Sequence, residues 1–96
     1  MSSSTDASVR LTVWVQGEVQ GVGFRWWTRS RALELGLTGQ ARNLSDGRVA
    51  VTAEGERAAC EQLRDLLRDG DTPGRVRSVS EQWGDATGSF TGFVEA

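Results

Sequence analysis

Apolar and polar residues alternate over residues 9–16: Val9, Leu11, Val13 and Val15 point one way, and Arg10, Thr12, Trp14 and Gln16 the other. A period of two is that of a β-strand with one face buried. The period lengthens in RWWTRSRALELG, residues 25–36, where Trp27, Thr28, Ala32 and Leu35 share one side of a helix and Gly36 caps its end. Two short strands are expected next, TGQARN (38–43) and RVAVTAE (48–54), joined through the hairpin signal Asp46-Gly47. ERAACEQLRDLLRDG (56–70) reads as a second amphipathic helix, with Ala59, Cys60, Leu63, Leu66 and Leu67 as its core stripe and Gly70 as its stop. After the turn DTPG come a further strand, RVRSVSEQW (75–83), and a last short edge segment, SFTGFVEA (89–96).

The order strand, helix, strand, strand, helix, strand predicts an α+β fold. It is that of the ferredoxin-like α/β sandwich, βαββαβ, with an antiparallel sheet and both helices on one face. No repeat or linker divides the pattern, so residues 9–96 are expected to form one domain. Residues 1–8, rich in Ser, Thr and Asp, are expected to be a flexible N-terminal tail.

Composition narrows the chemistry. The chain has no histidine, and all eleven basic residues are arginine. The commonest general base, the commonest metal ligand, Schiff-base lysines and the Walker lysine are therefore all missing. A single cysteine, Cys60, allows neither an internal disulfide nor a cysteine-rich zinc site. No metal and no cofactor are expected. A net charge of −2 argues against nucleic acid as a partner. No apolar run approaches the ~20 residues of a membrane span, so no membrane partner is expected. The first residues lack the basic flank and apolar stretch of a signal peptide, which points to a cytoplasmic protein. A monomer is the default at this size.

An anion must therefore be held by a local arrangement, and GEVQGVGFR, residues 17–25, offers one. Successive backbone N–H groups in a glycine-rich turn can form an anion nest. The turn leads into a helix N-terminus, whose unpaired N–H groups and dipole favour negative charge. Arg25 adds a planar fork suited to two phosphoryl oxygens. The string is no Walker loop, and Trp26 stands where a dinucleotide fingerprint wants its third glycine. The topology brings a second residue to this place. A helix of about eleven residues descends about 16 Å at ~1.5 Å each, and a strand of about five steps at ~3.3 Å climbs back as far. Asn43 should thus arrive level with the glycine loop.

GEVQGVGFR followed by GLTGQARNLSDGRV resembles the acylphosphatase family, small enzymes that hydrolyse carboxyl-phosphate mixed anhydrides. The resemblance runs from Val9 to the closing TGFVEA and implies a single acylphosphatase-like domain over residues 9–96 with the same ferredoxin-like fold. It implies that Arg25 is the phosphate-binding arginine. The backbone amides of Gln20, Gly21, Val22, Gly23, Phe24 and Arg25 would form the phosphate cradle, and Asn43 would position the attacking water. Gln40 and Ala41 depart from the family pattern, which more often has an aromatic residue and a valine there. The implied reaction is metal-independent hydrolysis of an acyl phosphate, free or carried on a protein, to a carboxylate and inorganic phosphate. The alternative is a non-catalytic phosphate- or anion-binding regulatory module on the same fold; the presence of both Arg25 and Asn43 favours the enzyme.

The remaining residues have plainer expectations. Trp27 should be core, while Trp26 could wall the pocket. Trp14 should lie on the open face of the sheet, and Cys60 should be an inert core thiol. Arg29, Arg31, Arg64, Arg68, Arg75 and Arg77 should be solvated charges paired with nearby acids.

Overall fold

The alternation of residues 9–16 is met by a strand, β1 (Val9–Glu18), with a neighbour on each side. In the computed structural model, which describes residues 8–96, it is followed by α1 (Phe24–Glu34), β2 (Thr38–Asn43), β3 (Val49–Gly55), α2 (Arg57–Asp69), β4 (Arg75–Asp85) and β5 (Phe93–Glu95). The flexible tail expected over residues 1–8 lies, apart from the exposed Ser8, outside the described residues.

The sheet order is β4-β1-β3-β2-β5. Leu11, Val13 and Val15 of β1 and Val49, Val51 and Ala53 of β3 are fully buried on the helix face. They meet Cys60, Leu63 and Leu67 of α2 and Phe24 and Ala32 of α1 in one cluster. Burying such side chains stabilises the fold by about 1.5–3 kcal/mol each for the larger ones. Leu66, expected in the stripe of α2, is only half-buried, because it lies on the rim of that stripe beside Gln62 and Asp69.

The four long strands pair antiparallel as the pattern predicts, but the sheet as a whole is mixed, because β5 runs parallel to β2. The register explains why. Asp85 at the end of β4 pairs with Val9, Val9 also pairs with Gly55, and Glu54 pairs with Thr38 at the start of β2. The chain thus leaves β4 at the end of the sheet where β2 begins. A strand entering the far edge from there runs in the direction of β2.

The crossing segment, residues 86–92, is anchored by one carboxylate. Glu54, 4% exposed, accepts hydrogen bonds from Arg10 Nε at 2.7 Å, from the Thr87 amide and hydroxyl at 3.0 Å each, and from the Gly88 amide at 3.0 Å. Burial by itself would raise its pKa. The Thr87 amide, the Arg10 guanidinium, the Gly88 amide and the Thr87 hydroxyl outweigh burial and hold it at about 2, against an ordinary 4.5. A folded-state pKa below the unfolded one means stability that is complete above about 4.5 and lost as the pH falls through about 2.

Glu54→Gln should destabilise the fold by about 2–4 kcal/mol at pH 7, since it strips charge from a buried, arginine-paired acceptor. Urea unfolding should show the gap between variant and wild type narrowing from pH 5 towards pH 2. A gap that stays constant over that range would remove the role assigned to the ionised carboxylate.

Candidate active site

The polypeptide leaves β1 after a bulge between Gln16 and Gly17, and residues 20–23 bend into α1. Two glycines make the bend: Gly21 and Gly23 sit at φ 76° and 85°, the left-handed region that a Cβ disfavours. Gly23 is the N-cap of α1 and contributes no side chain to the cap. The first helical bond runs from the Trp27 amide to the Gly23 carbonyl at 3.0 Å. The amides of residues 20–26, the six expected in the cradle together with that of Trp26, donate to no protein acceptor among the described residues. The first turn of α1 contains no acidic residue. The loop therefore presents a row of unmet donors at the positive end of a helix.

Arg25, in the first turn of α1, is half-buried, and its Nη1 donates to the carbonyl oxygen of Ala96 at 2.7 Å. The Ala96 amide in turn donates to the Ala41 carbonyl at 2.8 Å. Two hydrogen bonds thus tie the guanidinium to β2, two residues before Asn43. One turn along α1, Arg29 Nε donates to the Phe93 carbonyl at 2.9 Å. Arg29 is therefore not paired with an acid as expected; α1 lies across β5 and turns Arg29 toward a carbonyl of β5 and Arg25 toward that of Ala96 just beyond it. Arg31, Arg64, Arg68 and Arg77 do pair with acids, whereas Arg75 pairs with none among the described residues.

Asn43 ends β2, opposite Val49, which in turn pairs with Val15 near the end of β1. The climb of β2 thus returns the chain to the level of the glycine loop. The side chain of Gln20 fastens the two segments together. Its Nε2 donates to the carbonyls of Leu44 at 2.8 Å and Arg48 at 3.0 Å, the two residues that close the turn after Asn43. Only the backbone of Gln20 was expected in the site; its side chain has a bracing role that no spacing in the sequence signals. Asp46 stays a turn residue, accepting from the Arg48 amide at 3.1 Å.

The Asn43 Oδ1 atom is buried and has no hydrogen-bond partner. Such an acceptor is costly in a folded protein unless something else donates to it. Around the loop, Trp26 is 59% and Val22 45% exposed. Trp27 packs against the core, with its ring 6.3 Å from that of Phe24. Trp14 is half-buried between Ala50 and Ser80 on the open face of the sheet. Cys60 is fully buried, and burial pushes its thiol up to about 11, as suits an inert core residue. No group of three or more His, Cys, Asp or Glu among the described residues is arranged to hold a metal ion. No helix among them is long and apolar enough to cross a membrane.

Comparison with known proteins bears on what this arrangement does. The acylphosphatase family model matches residues 11–94. The acylphosphatase of Thermobifida fusca is 72% identical over 91% of this chain and 96% of its own length. That of Mycolicibacterium vanbaalenii is 63% identical over 94% and 97%. Among solved structures, the acylphosphatase of Bacillus subtilis superposes with a TM-score of 0.85 at 29% identity, covering 92% of this chain and 98% of that one. The acylphosphatase of Coxiella burnetii gives 0.84 at 32% identity over 98% and 100%. The chain belongs to the acylphosphatase family and is an enzyme of that class on the ferredoxin-like fold.

Proposed function

We propose that the glycine loop binds the phosphoryl group of an acyl phosphate, that Arg25 pairs with its oxygens, and that Asn43 orients the water that attacks phosphorus. One observation carries this reading. A buried acceptor without a partner, Asn43 Oδ1, stands at the same end of the sheet as a row of amides without acceptors. Phosphoryl oxygens suit the amides, and a water hydrogen suits the carboxamide oxygen.

The chemistry asks little more of the protein. The departing carboxylate is the conjugate base of an acid of pKa ~4, so it leaves unprotonated at pH 7 and no general acid is needed. The water oxygen bonds to phosphorus as the bond from phosphorus to the acyl oxygen breaks, and the water's protons remain with the phosphate formed. The transition state spreads charge over the equatorial oxygens, where the amides and Arg25 stabilise it. Asn43 contributes position, because a neutral amide takes no proton at this pH. Trp26 and Val22 form the exposed apolar edge of the loop. A non-catalytic anion module would not need Asn43 Oδ1 kept open. We propose further that the enzyme works in the cytoplasm as a monomer on a small acyl phosphate or an acyl-phosphorylated protein.

Turnover of benzoyl phosphate by the wild type should persist in excess EDTA. Arg25→Gln should lower kcat/KM by at least ~10³, the low end for a transition-state arginine; a folded variant keeping more than a tenth of the activity would contradict the assignment. Asn43→Ala should lower kcat while inorganic phosphate inhibits it as before. A matching loss of phosphate affinity would move Asn43 from the water to the cradle.

A further inference from the structure

Only two buried side-chain polar atoms among the described residues lack a hydrogen-bond partner: Asn43 Oδ1 and Thr28 Oγ1. The first belongs to the site just described; the second has no part in it so far. Thr28 is fully buried. A helical threonine ordinarily satisfies itself by bonding back to the carbonyl one turn earlier, yet Thr28 Oγ1 has no such partner. Valine has the same shape and no hydroxyl to satisfy. Packing therefore gives no reason for a hydroxyl at this place.

The fold brings the two atoms to one side of the sheet. Phe24, Thr28 and Ala32 form the buried face of α1, and α1 packs on β2 and β5. Gly39 and Ala41 are the buried positions of β2, and Asn43 continues their alternation on the same face. Thr28 lies one turn, about 6 Å, along α1 from Phe24 at the cradle. Asn43 ends a strand that runs opposite to α1, so it stands about one strand repeat, roughly 7 Å, above Ala41. Thr28 thus stands close to the level of Ala41, with Asn43 the next residue up on the same face of β2. The two atoms make no direct bond and neither has another partner; a buried water is a common way for two such polar groups to be satisfied together.

We infer that Thr28 is a positioning residue: its hydroxyl, through one buried water, holds the carboxamide of Asn43 in the orientation that presents Oδ1 to the attacking water. The inference rests on the water-positioning role proposed above for Asn43. A carboxamide oxygen has two lone pairs, so the bridge and the attacking water occupy separate ones. The hydroxyl touches no substrate and takes no proton.

The test is Thr28→Val assayed with benzoyl phosphate, alongside Thr28→Ser and Thr28→Ala. Thr28→Val should lower kcat about five- to tenfold, the rate equivalent of one neutral hydrogen bond, with KM and the melting temperature unchanged or the latter raised. Thr28→Ser should keep kcat within about twofold of wild type while Thr28→Ala, which differs from it by the hydroxyl alone, should not. That pair decides the question even if the valine variant misfolds. In an Asn43→Ala background, Thr28→Val should have no further effect on kcat. Wild-type kcat in folded Thr28→Val, or equal kcat for the serine and alanine variants, would overturn the role of Thr28. If Asn43→Ala itself kept full activity, the water-positioning reading of Asn43 would fail instead, and the inference with it.

Discussion

The carboxylate of Glu54 ties the two edges of the sheet together. The chain finishes β4 at one edge and must cross the whole end of the sheet to add β5 at the other. Residues 86–92 make that crossing without regular structure of their own. Beside backbone bonds at its two ends, from Ala86 to Ser8 and from Gly39 to Gly92, the segment is held by a buried anion that accepts from Thr87 and Gly88 and is matched by Arg10. Everything β5 does for the site depends on its arriving in register beside Gly39, Gln40 and Ala41. The Ala96 and Phe93 carbonyls accept from Arg25 and Arg29, so the segment that Glu54 anchors leads directly into the residues on which both arginines rest.

The two ends of the sheet follow opposite rules. At the Glu54 end the buried carboxylate is met by Arg10, Thr87 and Gly88 and is held well below its ordinary range. At the loop end the backbone donors of residues 20–26 and the Asn43 acceptor go unmet. Unmet groups in a folded protein weaken it, and they persist where a ligand completes them. The same separation explains how the chain manages without histidine or lysine. In the mechanism proposed above, a leaving group that needs no proton removes the demand for a titrating side chain, and fixed donors with one planar cation serve the phosphoryl oxygens.

Gln20 joins these ideas. It sits in the glycine loop, yet its side chain closes on the Leu44 and Arg48 carbonyls of the distant hairpin. The glycine loop and the turn after Asn43 are therefore fastened to each other by a side chain. Arg25 is tied to the same strand through Ala96 and Ala41. The three separate stretches of sequence that carry the candidate site residues are held by hydrogen bonds among those stretches.

The order and type of the elements were legible in the chain because they depend on local periodicity: two for Val9, Leu11, Val13 and Val15, and near 3.6 for Ala59, Cys60, Leu63 and Leu67. The glycine loop, Arg25 and the return of Asn43 were legible as well, the first two from backbone chemistry and the last from the lengths of α1 and β2. What the tertiary structure alone decided concerns partners far apart in sequence. The parallel docking of β5 depends on where β4 ends, which no period encodes. Arg29 reads as one more solvated arginine until α1 is laid across β5, and Gln20 as a loop amide until the hairpin comes within reach. Glu54 looks like a polar residue ending a strand, and only the crossing segment above it turns it into a buried anchor. Thr28 was placed correctly on the inner face of its helix, but whether its hydroxyl would find a partner there depends on the residues packed against it. Local periodicity fixes which way a side chain points; long-range packing decides what it meets.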